Sequence, residues 1–294
     1  MRRLVLLAGI WGWSFLFIKV AVKGMPPVAV ACGRCALGAV VLLAVLRSGR
    51  MTLPRDAKTW RAMTVMGVVG SAIPFSLLAW AEQPGRISSA LTSVLNASTP
   101  LFAAGFGAVL LHERLRPRQI LGLFLGLAGV AVAAGLGGAD LSSSSVSGEL
   151  AAVAAGACYG LTFAYAQRTL AGVEPMVAAT GQVLTAALAL VVPAGFAVAG
   201  SGVSLTFTRV TALLLLGMVG TGVAYVLNYR SIATLGPTTA SAVTYIVPVV
   251  AVAVGVIFLG EAFQLRLIAG GLLIVFGIAL LRGAVGRPAT APAA

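Results

Sequence analysis

The chain has 294 residues, 60% of them hydrophobic and 9% charged, with a formal net charge of +13 and a mean hydropathy of +1.04. Soluble domains carry roughly 25% charged residues, so the composition excludes a water-soluble domain. Spans of about 20 residues each leave no length for a separate soluble catalytic domain. The arginines and lysines lie between apolar runs, where they set membrane orientation, and no basic face interleaved with aromatics supports nucleic-acid binding.

In chain order, apolar runs predict ten helices at 4–22, 28–46, 62–80, 87–111, 119–136, 149–168, 175–198, 210–228, 237–259 and 265–282. The expected fold class is an all-α polytopic membrane protein. The first run holds Trp11, Trp13 and Lys19 and lacks a small-residue cleavage site, so it reads as a span and not a cleaved signal peptide. Cys32 and Cys35 form a C-x-x-C inside the second run, without a strand–helix redox context, and read as small packing residues. Cys158 is isolated and His112 is the only histidine. No metal or cofactor is expected.

The longest loop, Gly135–Gly148, carries the Ser142–Ser145 run and divides the chain. With ten spans, 14 arginines and lysines fall on the side of the N-terminus and 4 on the other, with Lys19 and Arg34 inside spans. Positive residues collect in cytoplasmic loops, so both termini are expected to be cytoplasmic, in the inner (plasma) membrane of the cell.

A shift of 148 residues brings the chain into register with itself: Pro27 with Pro175, Ser93 with Ser241, Pro100 with Pro248, Glu113 with Glu261, Gly122 with Gly270 and Gly129 with Gly277. A local slip to 150 pairs Gly67–Gly70 with Gly217–Gly220. Each copy holds five predicted spans, an odd number, so the second copy crosses the membrane upside down. Inverted repeats are characteristic of alternating-access transporters, with substrate near the midplane.

Two stretches carry a family resemblance. Gly67–Gly129 contains I-P-F-S-L-L-A-W-A, S-S-A-L-T-S-V-L-N-A-S-T-P-L-F and L-H-E-R-L. Gly217–Leu281 contains Y-V-L-N-Y-R-S-I-A-T-L-G-P, A-S-A-V-T-Y-I-V-P-V and L-G-E-A-F. Both resemble the EamA domain of the drug/metabolite transporter superfamily, and the W-G-W-S-F-L-F-I-K opening resembles its first helix. The resemblance implies ten helices in two inverted five-helix repeats around a central cavity. The divisions are then 1–136 for the first repeat, 137–148 for the linker, 149–282 for the second repeat and 283–294 for a disordered cytoplasmic tail. It also implies a non-enzymatic secondary transporter that exports amino acids or similar metabolites. An uptake permease or facilitator of the same fold and a drug efflux pump remain alternatives. The partners are a small-molecule substrate and the bilayer, and the sequence is compatible with a monomer.

Ionisable groups inside spans mark functional sites by default. Lys19 lies near a span end, where it either snorkels to the interface or lines the cavity. Arg34 is about 9 Å into the second span at 1.5 Å per residue, where it either binds an anionic group or forms an ion pair. All seven acidic residues lie in loops or at span ends, which favours carboxylate-bearing or neutral substrates over lipophilic cations. Pro100 and Pro248 predict kinks that free the carbonyls of Asn96 and Thr244. These are gates, or kinks repaired by nearby polar side chains. Tyr159, Tyr225, Tyr245, Asn228 and Gln182, the last in register with Arg34, complete the candidate substrate-binding set with Trp11 and Trp13.

Overall fold

A computed structural model describes residues 2–112, 115–135, 143–240 and 243–282. The linker residues up to 142, the tail 283–294, Glu113, Ser241 and the side chain of Tyr245 lie outside the described residues. Among the described residues the chain is helical, with no strand. The helices are α1 (Arg2–Ala21), α2 (Pro27–Ser48), α3 (Ala57–Gly67), α4 (Ile73–Ala81), α5 (Ser89–Asn96), α6 (Thr99–Leu110), α7 (Pro117–Ala134), α8 (Ser143–Thr169), α9 (Pro175–Ser201), α10 (Phe207–Leu214), α11 (Ala224–Ala240), α12 (Val243–Leu259) and α13 (Leu265–Arg282). Two π-helical segments, Val68–Ala72 and Leu215–Val223, join α3 to α4 and α10 to α11 without a break. Among the described residues, eight helical stretches are long and apolar enough to cross a membrane, and two shorter apolar helices, Ile246–Leu259 and Leu265–Leu281, accompany them.

Local chemistry sets the starts of these helices. Prolines occupy first-turn positions in α2, α7 and α9, where no backbone N–H is needed. Asp56 caps α3 by accepting from the Thr59 N–H at 2.7 Å, and Thr206 caps α10 by accepting from Arg209 N–H at 3.4 Å. These two caps fall on each other in the slipped register that pairs Gly67 with Gly217. Such side chains satisfy donors that a helix start leaves open.

Two details depart from the sequence expectation. The run 87–111 is two helices, α5 and α6, separated at Ala97–Ser98, with Pro100 in the first turn of α6. A proline in a first turn loses no hydrogen bond, so the helix restarts there instead of bending. Pro248, by contrast, lies inside α12. The stretch 229–236, expected between two spans, is helical as well, because α11 runs from Ala224 to Ala240.

Packing between the halves uses glycines in pairs. A Cβ at Gly122 would lie 2.6 Å from the Gly277 carbonyl oxygen, and one at Gly129 would lie 2.7 Å from that of Gly270. These pairs draw α7 and α13 together at backbone distance, as small residues allow. Gly12 on α1 faces Val250 on α12, and Gly160 on α8 faces Phe102 on α6. The two contacts are repeat equivalents, since Gly12 is in register with Gly160 and Phe102 with Val250.

Candidate functional site

Arg34 leaves α2 at a point where Gly33 lets that helix approach Leu213 of α10 and Gly38 lets it approach Thr221 of the second π segment. The side chain is 6% exposed. Its Nε donates to Thr221 Oγ1 at 2.8 Å, and its guanidinium carbon lies 3.8 Å from the centre of the Phe75 ring on α4. The negative face of an aromatic ring favours a cation so placed. Among the described residues the two terminal nitrogens have no hydrogen-bond partner and no carboxylate forms an ion pair with them.

Tyr159 on α8 sets its ring edge against Phe75, with centroids 6.3 Å apart. Tyr225 on α11 packs against Tyr229 at the same separation. Both Tyr159 and Tyr225 lie within electrostatic range of Arg34. Phe75 from the first half of the chain and Tyr159 and Tyr225 from the second thus place aromatic side chains near Arg34.

Gln182, the repeat equivalent of Arg34, builds a second junction from α9. Its Nε2 donates to Ser71 Oγ at 2.9 Å and to the Gly70 carbonyl at 3.4 Å. Ser71 lies in the first π segment, at the position that corresponds to Thr221 in the second. A π turn takes its carbonyls out of the regular helical ladder, and such turns are frequent at functional sites. Each π segment thus receives a polar side chain from a helix of the other half: Arg34 on Thr221 and Gln182 on Ser71.

Other candidates sit elsewhere. Trp11 packs in an apolar cluster with Leu7, Ala224 and Val243. Trp13 packs at a tilt against Phe258 with centroids 4.9 Å apart and lines an open apolar groove of about 410 Å³ with Val5, Leu6, Val219 and Gly220. Lys19 donates to the Ile87 carbonyl at 2.7 Å. Asn228 and Thr244 are half-buried on α11 and α12. At the break between α5 and α6 the Thr99 hydroxyl donates to the Asn96 carbonyl at 2.8 Å, and Ser98 donates to the Leu95 carbonyl at 2.6 Å. The side-chain Oδ1 of Asn96 is buried without a hydrogen-bond partner. Gly156 of α8 lies against Ser98 and Thr99 of this break, one turn from Tyr159.

Phe75, Ser71 and Thr221 are residues that the sequence did not single out. Their signal was the slipped repeat register, in which Ser71 falls on Thr221 and Phe75 on Tyr225.

Residues 3–135 and 146–283 each match the EamA-like transporter family. The chain belongs to this family. It is therefore a membrane-embedded transporter of small molecules. It is 25% identical, over 92% of its length and 91% of the relative, to an uncharacterized transporter of Bacillus subtilis (strain 168), YoaV. A protein of Streptantibioticus cattleyicolor named a probable terminal-alkyne amino-acid exporter is 28% identical over 97% of this chain and 94% of its own. A Salmonella typhimurium (strain LT2) protein named a probable amino-acid metabolite efflux pump is 27% identical over 93% of this chain and 91% of its own. One crystal structure, 23% identical, shares the fold with a TM-score of 0.64 over 98% of both chains.

Proposed function

We propose that this EamA transporter exports an amino acid or a related carboxylate-bearing metabolite across the inner membrane by alternating access. In this reading both termini are cytoplasmic, and the two halves are inverted five-helix repeats of a ten-helix bundle. The 14-to-4 distribution of basic residues supports the orientation, and the contacts that recur in the repeat register support the inversion.

The observation that carries the substrate class is the state of Arg34. A guanidinium has five N–H donors in a planar fork suited to carboxylate. Here one donor is bound to Thr221, while the terminal nitrogens are not engaged by described protein groups. A substrate carboxylate would complete the fork as a bidentate pair. Phe75, Tyr159 and Tyr225 would enclose the rest of a small ligand. Asn96, with its unpartnered Oδ1, is an acceptor suited to an ammonium group. The relatives named for terminal-alkyne amino-acid export and amino-acid metabolite efflux are consistent with this choice.

The test is counterflow of radiolabelled amino acids, organic acids and a lipophilic cation in liposomes containing the purified protein. Saturable exchange of an amino or organic acid that Arg34→Ala removes is the expected result. Exchange of the cation alone, or undiminished carboxylate exchange in Arg34→Ala, overturns the assignment.

A further inference from the structure

A third polar junction lies where α1 and α4 finish and α5 begins. Glu82 closes α4 and is 0% exposed. Its Oε1 has no hydrogen-bond partner, and no cation forms an ion pair with it among the described residues. Lys19 of α1, whose charge acts on Glu82, donates instead to the Ile87 carbonyl. The other half of the chain adds a negative charge: Glu261 accepts from the backbone N–H groups of Ser89 at 2.7 Å and Ala90 at 3.0 Å. Gly255 leaves room for that carboxylate, which a Cβ there would strike. Glu261 is thus satisfied at the start of α5, whereas Glu82 beside it is not.

Ser89 shows how Glu82 is accommodated. Its hydroxyl oxygen lies 3.0 Å from Glu82 Oε2 and 3.3 Å from the Phe15 carbonyl oxygen. One hydroxyl proton cannot serve two acceptors. With a proton on Oε2, Glu82 donates to Ser89 Oγ and Ser89 donates to Phe15, so every proton is used. Oε1 is then a neutral carbonyl, far cheaper to bury than half of a carboxylate. Burial pushes the Glu82 carboxyl well above the ordinary carboxylate range, opposed by Lys19 and by Ser89, with Glu261 raising it further and Arg34 lowering it. Lys23 acts on Lys19. Glu149, buried on α8, is the other acidic group on helices packed here.

We propose that Glu82 is a proton-binding site in a latch between the two halves: it holds one proton while Glu261 is seated on α5 and yields it to water when that contact opens. The opening step rests on the alternating-access reading above; the proton site does not depend on the substrate. Transport is then linked to protons, because the closed latch and the open one bind different numbers of them.

Infrared spectra of the whole protein in detergent test the site directly. The expected result is a protonated-carboxyl stretch that persists above the ordinary carboxylate range, fades as pH rises further and is missing in Glu82→Gln. In Lys19→Met the fading moves to higher pH by about one unit or more, because the cation that favours the carboxylate is gone. Absence of the band from the wild type, its persistence in Glu82→Gln, its loss only in Glu149→Gln, or an unmoved midpoint in Lys19→Met overturns the assignment. Counterflow tests the latch: wild-type exchange falls as pH drops through the same midpoint, and Glu82→Gln exchange is independent of pH. A flat wild-type profile, or a pH-dependent variant, removes the latch. Failure of every labelled compound to exchange would count against the substrate reading, and the infrared result would still decide the proton site.

Discussion

The junctions at Arg34 and Gln182 occupy matching places in the two halves and differ in chemistry. Each rests on a π segment, and each gives a hydrogen bond of 2.8 or 2.9 Å to a buried hydroxyl. Gln182 is a neutral amide bonded to both Ser71 and Gly70. Arg34 is a cation over an aromatic ring with donors to spare. The shared scaffold therefore holds the helices in register, while charge on one side only gives a symmetric frame a single polar end. An asymmetric ligand needs that distinction.

The largest effect separates the two junctions. Arg34→Ala is expected to lower carboxylate counterflow about a hundredfold, the scale of losing hydrogen bonds to a charged group. Gln182→Ala is expected to lower it by about tenfold or less, as for a neutral bond. Equal losses would mean that both junctions are merely structural and would break the comparison.

A smaller effect tests the frame they share. Gly129→Ala and Gly270→Ala would each force a Cβ against backbone of the facing helix, at 2.7 and 2.6 Å. Each should cost about 1–3 kcal/mol, as overpacking does, and lower the melting temperature in detergent by similar amounts. Gly195 meets nothing within 4 Å, so Gly195→Ala should cause no loss. A large difference between Gly129→Ala and Gly270→Ala would show that the two halves do not share this contact evenly.

The smallest effect sharpens the chemical difference between equivalent positions. Asp56 and Thr206 cap equivalent helices of the two repeats, but only Asp56 ionises. The Thr59 backbone N–H, and then the Thr59 side chain, holds the Asp56 carboxyl below its ordinary value. A depressed folded-state pKa stabilises the fold above the unfolded value of about 3.9 and loses that contribution as pH falls through the folded one. The melting-temperature difference between wild type and Asp56→Ala should therefore shrink in acid, whereas that for Thr206→Ala should stay level with pH. Parallel profiles would show that the Asp56 charge contributes nothing to its cap.

The apolar runs marked the helices because apolar composition is what a membrane span requires, and Arg34 was conspicuous because charge is rare there. Gln182 followed from register alone. The π segments were not legible, since a widened helical turn leaves the apolar composition of a span unchanged. Pro100 announced a disturbance in the helix, but not whether it bends or restarts, which depends on whether neighbouring carbonyls find the Thr99 and Ser98 hydroxyls. Glu82 looked like a loop residue because it follows a span. Its burial comes from α1, α5 and the turn at Glu261 closing over it, contacts between segments far apart in sequence.

The glycine pairs between α7 and α13 have a mechanical consequence. Where two helices meet through backbone at Gly122–Gly277 and Gly129–Gly270, few side chains remain between them to slide or rotate. Leu121, Phe124, Leu272 and Phe276 on the same helices point outward and are 58–67% exposed, toward acyl chains in the transporter reading. In the alternating-access reading the pair would serve as a fulcrum: the part of the molecule that moves least while the Arg34 junction swings.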